Sequence, residues 1–259
     1  MIRFDRVSFS YGPKSVLKDL SFSIGPGERV AILGGSGDGK TTILKIILGL
    51  IKPDSGRVLI DGEDITTRDE DDLREARMKF SMVFQDGALF DSLTVKENVA
   101  FCLREYTHIS EEELEEKVRS ILSTVGVESA MRLMPEELSG GMHRRVALAR
   151  SLAAFDPKMF LYDEPTSGLD PINADNICRL IVDLAHNGKG FIVVTHKVID
   201  ALKVAARFMF LKDGALFFDG GRDELMSAAD PGIRHFLSEL TCLTDTQKAE
   251  IPSQGGRDV

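Results

Sequence analysis

Apolar positions along the chain fall into three rhythms. Short, nearly continuous apolar runs occur at Arg29-Val30-Ala31-Ile32-Leu33, Phe80-Ser81-Met82-Val83-Phe84, Met159-Phe160-Leu161-Tyr162 and Phe191-Ile192-Val193-Val194-Thr195. Strands buried on both faces read this way, so the runs predict the mostly parallel core sheet of an α/β fold. Strand-like alternation marks residues 3–33 and 56–65, as in Val7-Ser8-Phe9-Ser10, with Gly25-Pro26-Gly27 and Asp61-Gly62 as turns. That pattern predicts an N-terminal antiparallel layer.

From about 86 to 154 the spacing turns helical. Ser110-Glu111-Glu112-Glu113-Leu114-Glu115-Glu116-Lys117-Val118 has an acidic start that suits a helix N-terminus, and its glutamates read as a solvated face. Behind Leu138-Ser139-Gly140-Gly141-Met142, the residues Val146, Leu148, Ala149, Leu152 and Ala153 form a helical apolar stripe. An amphipathic helix is predicted from Pro171 to His186. A short stripe, Ile233, Phe236, Leu237, Leu240 and Leu243, precedes a polar tail from Thr244 to Val259. The expected division is an α/β unit over 1–225 with a helical insertion at about 86–155, then a short helix and tail over 226–259. No internal repeat or low-complexity tract interrupts it.

A chain of 259 residues, 43% hydrophobic, can bury a large core as one domain with an inserted lobe. Its 32 basic and 41 acidic residues leave a net charge of −9, which opposes a nonspecific grip on nucleic acid or an anionic membrane. Cys102, Cys178 and Cys242 are too few and too scattered for a disulfide framework or a zinc site, so reduced thiols and the cytosol are expected. No apolar run approaches the roughly 18 residues of a membrane span. Met1-Ile2-Arg3-Phe4-Asp5 does not read as a signal peptide, so a membrane role is expected to come through a partner.

The clearest chemistry lies between a strand and a helix. Gly34-Gly35-Ser36-Gly37-Asp38-Gly39-Lys40-Thr41-Thr42 is G-x-x-x-x-G-K-[ST], flanked by the run ending at Leu33 and by Ile43-Leu44-Lys45-Ile46-Ile47-Leu48. Glycines let successive N–H groups converge on phosphate oxygens, Lys40 reaches the β and γ phosphates, and the Thr41 hydroxyl suits Mg²⁺. Asp38 is awkward, because a carboxylate aimed at polyphosphate would repel it; it is expected to point outward. A second strand ends in Asp163-Glu164-Pro165, which suits a Mg²⁺-site aspartate and a water-orienting base. The helix start at Ser139-Gly140-Gly141 is an anion site with no lysine or carboxylate chemistry beside it.

Together these segments resemble the nucleotide-binding subunit of an ABC transporter, over about residues 1–225. Leu138-Ser139-Gly140-Gly141-Met142 is similar to that family's signature motif, with Met where Gln is usual. The resemblance implies a head-to-tail homodimer in which Ser139, Gly140 and Gly141 cap the γ-phosphate held by the other subunit's P-loop. It implies that Gln85 contacts Mg²⁺ together with Thr41 and Asp163, and that Ser167-Gly168-Leu169-Asp170 runs along the dimer interface. Asp170 before Pro171 also reads as a helix N-cap. Tyr11 would stack on adenine, a contact worth roughly 1 kcal/mol. Lys40, Gln85, Glu164 and His196 form the implied catalytic set, with Glu164 activating water and His196 steadying the γ-phosphate. Gly35, Ser36, Gly37, Asp38, Gly39, Lys40, Thr41 and Thr42 would cradle ATP.

Three further segments resemble the ATPases of Mla-type phospholipid transporters. These are Phe84-Gln85-Asp86-Gly87-Ala88-Leu89-Phe90, Leu93-Thr94-Val95-Lys96-Glu97-Asn98-Val99-Ala100, and Met134-Pro135-Glu136-Glu137-Leu138-Ser139-Gly140-Gly141-Met142. That likeness implies ATP-driven phospholipid transport between bacterial membranes, with the chain on the cytoplasmic face of the inner membrane. The implied partners are an integral permease, an MCE-domain lipid-binding protein and a STAS-domain protein. Ala88, Leu89 and Phe90 would line the permease groove, unless they pack inside the lobe. Two alternatives stand beside this reading: a subunit serving another solute such as an amino acid, metal, peptide or drug, and a soluble ABC protein acting on DNA or the ribosome, which the acidic balance disfavours.

Overall fold

The structure, a computed structural model, describes residues 1–153, 157–185 and 188–238. The expected end of the helical insertion at 154–155, His186, Leu240, Cys242, Leu243 and the tail from Thr244 lie outside the described residues. The strands are β1 (Ile2–Tyr11), β2 (Lys14–Ile24), β3 (Arg29–Leu33), β4 (Ser55–Ile60), β5 (Glu63–Asp64), β6 (Phe80–Val83), β7 (Met159–Asp163), β8 (Gly190–Thr195), β9 (Arg207–Lys212) and β10 (Ala215–Gly221). The helices are α1 (Lys40–Ile47), α2 (Glu70–Arg77), α3 (Val95–Tyr106), α4 (Glu111–Thr124), α5 (Gly140–Leu152), α6 (Pro171–Leu184), α7 (Val198–Val204) and α8 (Arg222–Ser227).

Among the described residues the strands sort into two sheets. One is antiparallel in the order β2-β1-β4-β5; the other runs β10-β9-β3-β8-β7-β6, with β9 through β6 parallel and β10 an antiparallel edge. The alternating tract 3–33 is therefore split between them. β3 leaves the antiparallel layer because four of its five residues are buried, which only a strand covered on both faces allows. The same holds for β7 and β8, buried along their whole length. Ile2, Phe4, Val7 and Phe9 of β1 turn their dry face onto α1 and the core sheet, sharing one apolar cluster with Val30, Ile32, Ile43 and Ile47.

Among the described residues, α2, α7, α8 and the β9–β10 hairpin escape a reading of periodicity. α2 has only Leu73 and Ala76 buried, and its start rests on charge: Asp69 caps the Asp72 N–H and Glu70, Asp71 and Asp72 occupy the first turn. The β9–β10 hairpin turns at Asp213-Gly214, whose φ values of 51° and 80° match a tight hairpin turn.

The helical lobe is α3, α4 and α5, the first two opened by reciprocal caps, Thr94 with Glu97 and Ser110 with Glu113. Val95, Val99, Leu103, Leu114, Val118, Leu122 and Val146 fill its centre. Leu89 joins that centre at 9% exposure, while Ala88 and Phe90 are exposed. The expectation that Leu89 lines a surface groove is thus corrected: it packs inside the lobe, where a charge would lack partners. Near the end of the described chain, residues 231–238 are helical, with Ile233 buried and the Phe236 ring edge-on to Phe210 at 4.7 Å. The apolar stripe there packs on its own chain.

Candidate functional site

The C-terminal ends of β3, β8 and β7 are neighbours in register, Leu33 beside Thr195 and Val194 beside Asp163, so whatever follows these strands meets at one rim. Ligands of α/β sheets bind at such rims. The loop after β3 turns into α1 through Gly39, at φ 102°, where a Cβ would come within 2.6 Å of the Leu17 side chain. No other residue fits both the conformation and the space. Lys40, buried, folds its Nζ back onto the Gly34 and Gly35 carbonyls at 3.0 and 2.9 Å and stands 3.8 Å from Glu164 Oε1.

Asp38 does not extend outward into solvent. Its Oδ2 accepts the Gly35 N–H at 2.6 Å and would crowd a Cβ on Gly34, so the carboxylate braces the start of the loop. A short acidic side chain bonds a nearby backbone N–H readily, which is the physical reason for the correction. It stays off the cavity formed by the rest of the loop.

That cavity, of about 310 Å³, is lined by Tyr11, Ser36, Gly37, Gly39, Lys40, Thr41, Thr42, Gln85 and Glu164, together with Lys14 and Val16. Tyr11 is 47% exposed and edge-on to Phe9, so its ring is a free face at the mouth rather than a piece of core. Lys14 and Val16 were not foreseen. They follow Gly12-Pro13, and only the β1–β2 hairpin swings them beside the phosphate loop.

At the end of β7, the Thr41 hydroxyl donates to Asp163 Oδ1 at 2.9 Å. Burial pushes the Asp163 carboxyl above its ordinary range, against the lowering effect of that bond, and neighbouring Glu164 pushes the same way. Glu164 itself is buried, with φ at 46°, a left-handed conformation unusual outside glycine. The turn directs its carboxylate along the rim. The Thr195 hydroxyl donates to Oε2 at 3.2 Å, and His196 Nδ1 lies 3.0 Å from Oε1 and 2.9 Å from Oε2. Three further residues shape the segment after Glu164. Thr166 donates to buried Asp200 at 2.7 Å, and Lys197 Nζ holds the Thr166 carbonyl at 2.8 Å. No local motif announces that trio, in which β8 and α7 bring Lys197 and Asp200 to Thr166.

The remaining predicted residues sit apart from the cavity. Ser139 caps α5, accepting the Met142 N–H at 3.3 Å, and both Ser139 and Gly140 are exposed. A Cβ on Gly141 would stand 3.0 Å from Asn173 Oδ1, and one on Gly140 3.8 Å from Leu169. Asp170 caps α6, accepting the Ile172 and Asn173 N–H groups at 3.1 and 3.0 Å. Within one chain these groups line no part of the nucleotide-sized cavity, and they form a second cluster around two helix starts.

Known proteins resemble this chain over most of its length. A family described as ABC transporter matches residues 17–167. The intermembrane phospholipid transport system ATP-binding protein MlaF of Escherichia coli (strain K12) is 40% identical over 90% of this chain and 87% of its own. The Arabidopsis thaliana protein TRIGALACTOSYLDIACYLGLYCEROL 3, chloroplastic, is 39% identical over 88% of this chain and 71% of its own. Among solved structures, a dimeric post-hydrolysis state of the ATP-binding cassette MJ0796 bound to ADP and Pi superposes with a TM-score of 0.79. It shares 35% identity and covers 85% of this chain and 98% of that one.

Proposed function

The chain belongs to the ABC transporter family as an ATP-hydrolysing subunit, and from that premise we propose that it powers phospholipid transport between bacterial membranes through a separate permease. The carrying observation is the 40% identity to a phospholipid transport ATPase across nearly the whole chain. The tracts Phe84–Phe90 and Met134–Met142 of this sequence support the same substrate class. Among the described residues no helix is long and apolar enough to cross a membrane, so attachment to the cytoplasmic face of the inner membrane would run through the permease. We assign 1–225 to the ATPase unit, with 86–155 as its helical lobe and 226–259 as an appendage.

ATP is the substrate. Tyr11 offers a ring face for adenine, while the N–H groups of 36–42 and the α1 N-terminus take the phosphates. Lys40 would leave the Gly34 and Gly35 carbonyls to reach the β and γ oxygens. The residues fit Mg²⁺: Thr41 and Asp163 are already 2.9 Å apart, Gln85 lies on the cavity, and all offer hard oxygen donors. When bound, Mg²⁺ would neutralise charge on the β and γ phosphates. Without a cation, Asp163 is a carboxylate held in a partly dry place, which the upward push on its pKa expresses.

Glu164 would orient a water and accept its proton as the oxygen attacks the γ-phosphorus, releasing ADP and phosphate. Thr195 and His196 fix that carboxylate. With Nδ1–H donated to Glu164, a neutral His196 keeps only an acceptor at Nε2. A hydrogen bond from His196 to the γ-phosphate therefore requires a protonated ring or release from Glu164.

Dimer closure follows from the second cluster. In a head-to-tail pair, Ser139 and the N–H groups of Gly140 and Gly141 would cap the γ-phosphate on the partner's loop, with Asp170 beside them. Bonds to a charged phosphate contribute about 1.5–3 kcal/mol each, so ATP favours closure and ADP does not. An MCE-domain lipid-binding protein and a STAS-domain protein complete the proposed assembly.

The deciding experiment is purification from native membranes with identification of bound subunits and lipids. Phospholipid and a lipid-type permease are expected; a permease and binding protein for another solute would overturn the substrate assignment while leaving the ATPase in place.

A further inference from the structure

Helix α5 does more than present its start at Ser139. Three of its side chains turn onto the segment that carries Gln85. The Arg150 guanidinium donates to the Ala88 and Gly87 carbonyls at 2.6 and 3.0 Å and lies 5.7 Å from the centroid of the Phe90 ring. A Cβ on Gly87 would stand 3.0 Å from the His143 ring, so backbone and helix are in close contact there. Arg144, only 8% exposed, reaches the Phe84 carbonyl at 3.5 Å and the Ser167 carbonyl at 3.1 Å.

Arg144 thus joins two segments distant in sequence, the approach to Gln85 and the start of 167–170. Burial lowers the pKa of both guanidiniums below the ordinary arginine value, so each charge is kept against a desolvation penalty. Their hydrogen-bonded partners are backbone carbonyls. A planar fork of five donors can span two carbonyls at once; an ammonium presents a single compact charge on a flexible stem.

We propose that Arg144 and Arg150 are positioning residues that make α5 and the segment 84–90 one moving unit, which Arg144 extends to 167–170. A displacement at the exposed Phe90 face then moves the Ser139 helix end and the Asp170 turn together. Neither arginine lines the cavity around Lys40, so their action is on closure rather than on nucleotide affinity. This inference rests on the proposed closure of Ser139 and Gly141 over a partner's ATP.

The test uses the full chain with Arg144→Met, similar in bulk without donors, and Arg144→Lys. Melting temperature, affinity of the isolated chain for a fluorescent ATP analogue, kcat and KM are measured for each. ATP-dependent dimerisation is followed by light scattering in the hydrolysis-deficient Glu164→Gln background. In Arg144→Met, melting temperature stays within about 3 °C and analogue affinity within about twofold of wild type, while kcat falls about tenfold and the ATP-dependent dimer weakens. Arg144→Lys falls between. Unchanged kcat and dimerisation in Arg144→Met overturn the coupling alone, as does parallel loss of melting temperature, affinity and kcat. A wild-type chain that hydrolyses ATP without forming an ATP-dependent dimer overturns the closure reading and the coupling with it.

Discussion

Two helix starts in this molecule answer the same physical problem in opposite ways. At α1 the N-cap is Gly39, without a side-chain cap, so its N–H groups stay open. Lys40, Thr41, Asp163 and Glu164 crowd around it, joined by contacts of 2.9 and 3.8 Å. At α5 the N-cap Ser139 bonds Met142 N–H itself, two glycines follow, and the end is exposed without charge chemistry of its own. A helix N-terminus by itself is a generic anion site. Which one can do catalysis is decided by the strands beside it. β7 and β8 deliver acids and a histidine to α1, whereas the start of α5, at Ser139 and Gly140, faces solvent. On the proposed closure, the difference makes α1 the catalytic half of a site and α5 its complementary half.

The comparison breaks first at Glu164. Glu164→Gln keeps the carboxylate's shape without its basicity, so phosphate release is expected to fall by about 10²- to 10⁴-fold while ATP still binds. Near-normal turnover would remove Glu164 from the catalytic role.

Mixing dead variants sharpens the division between the two helix starts. Lys40→Ala should disable the α1 half and Gly141→Glu the α5 half, the latter by crowding Asn173 and repelling phosphate. In random heterodimers one composite site is intact, so a one-to-one mixture should regain about a quarter of wild-type ATPase activity. A mixture as inactive as its components would show that both halves act within one chain.

A smaller effect is expected at Asp38, the acid that braces the α1 loop. Asp38→Asn keeps an acceptor for the Gly35 N–H and removes the charge near bound phosphate. ATP should bind about fivefold tighter, equivalent to about 1 kcal/mol, in a titration at low salt. Weaker binding would mean that the charge, rather than the hydrogen bond, holds the loop.

The smallest effect belongs to Tyr162, one residue before Asp163 on the same strand. Its hydroxyl is fully buried without a hydrogen-bond partner among the described residues, and burial pushes its pKa far up. Tyr162→Phe removes an unsatisfied group, so it should leave kcat unchanged and raise stability by about 1 kcal/mol or less. Loss of activity would extend the α1 site one residue deeper into β7.

Much of the site was legible along the chain because its chemistry is local. The phosphate loop, the Asp163-Glu164 pair and His196 each end an apolar run, and period and punctuation reveal such ends. α2 was missed because its charged start and two buried positions carry little periodicity. Leu89 was misplaced because an apolar residue beside exposed Phe90 reads the same whether it faces a groove or a core. Asp38 was misread because sequence does not reveal which N–H a carboxylate finds.

By itself, then, the sequence determined which segments are built like phosphate sites, where the acids stand relative to their strands, and that one helix start lacks charged neighbours. Glycine spacing, apolar runs and caps act over a few residues, so order along the chain carries them. Tertiary structure decided that Lys14 and Val16 join the cavity, that Thr195 and His196 clamp Glu164, and that Arg144 bridges Phe84 and Ser167. These contacts join residues far apart in sequence, and only the register of β3, β8 and β7 and the packing of α5 bring them within hydrogen-bond reach.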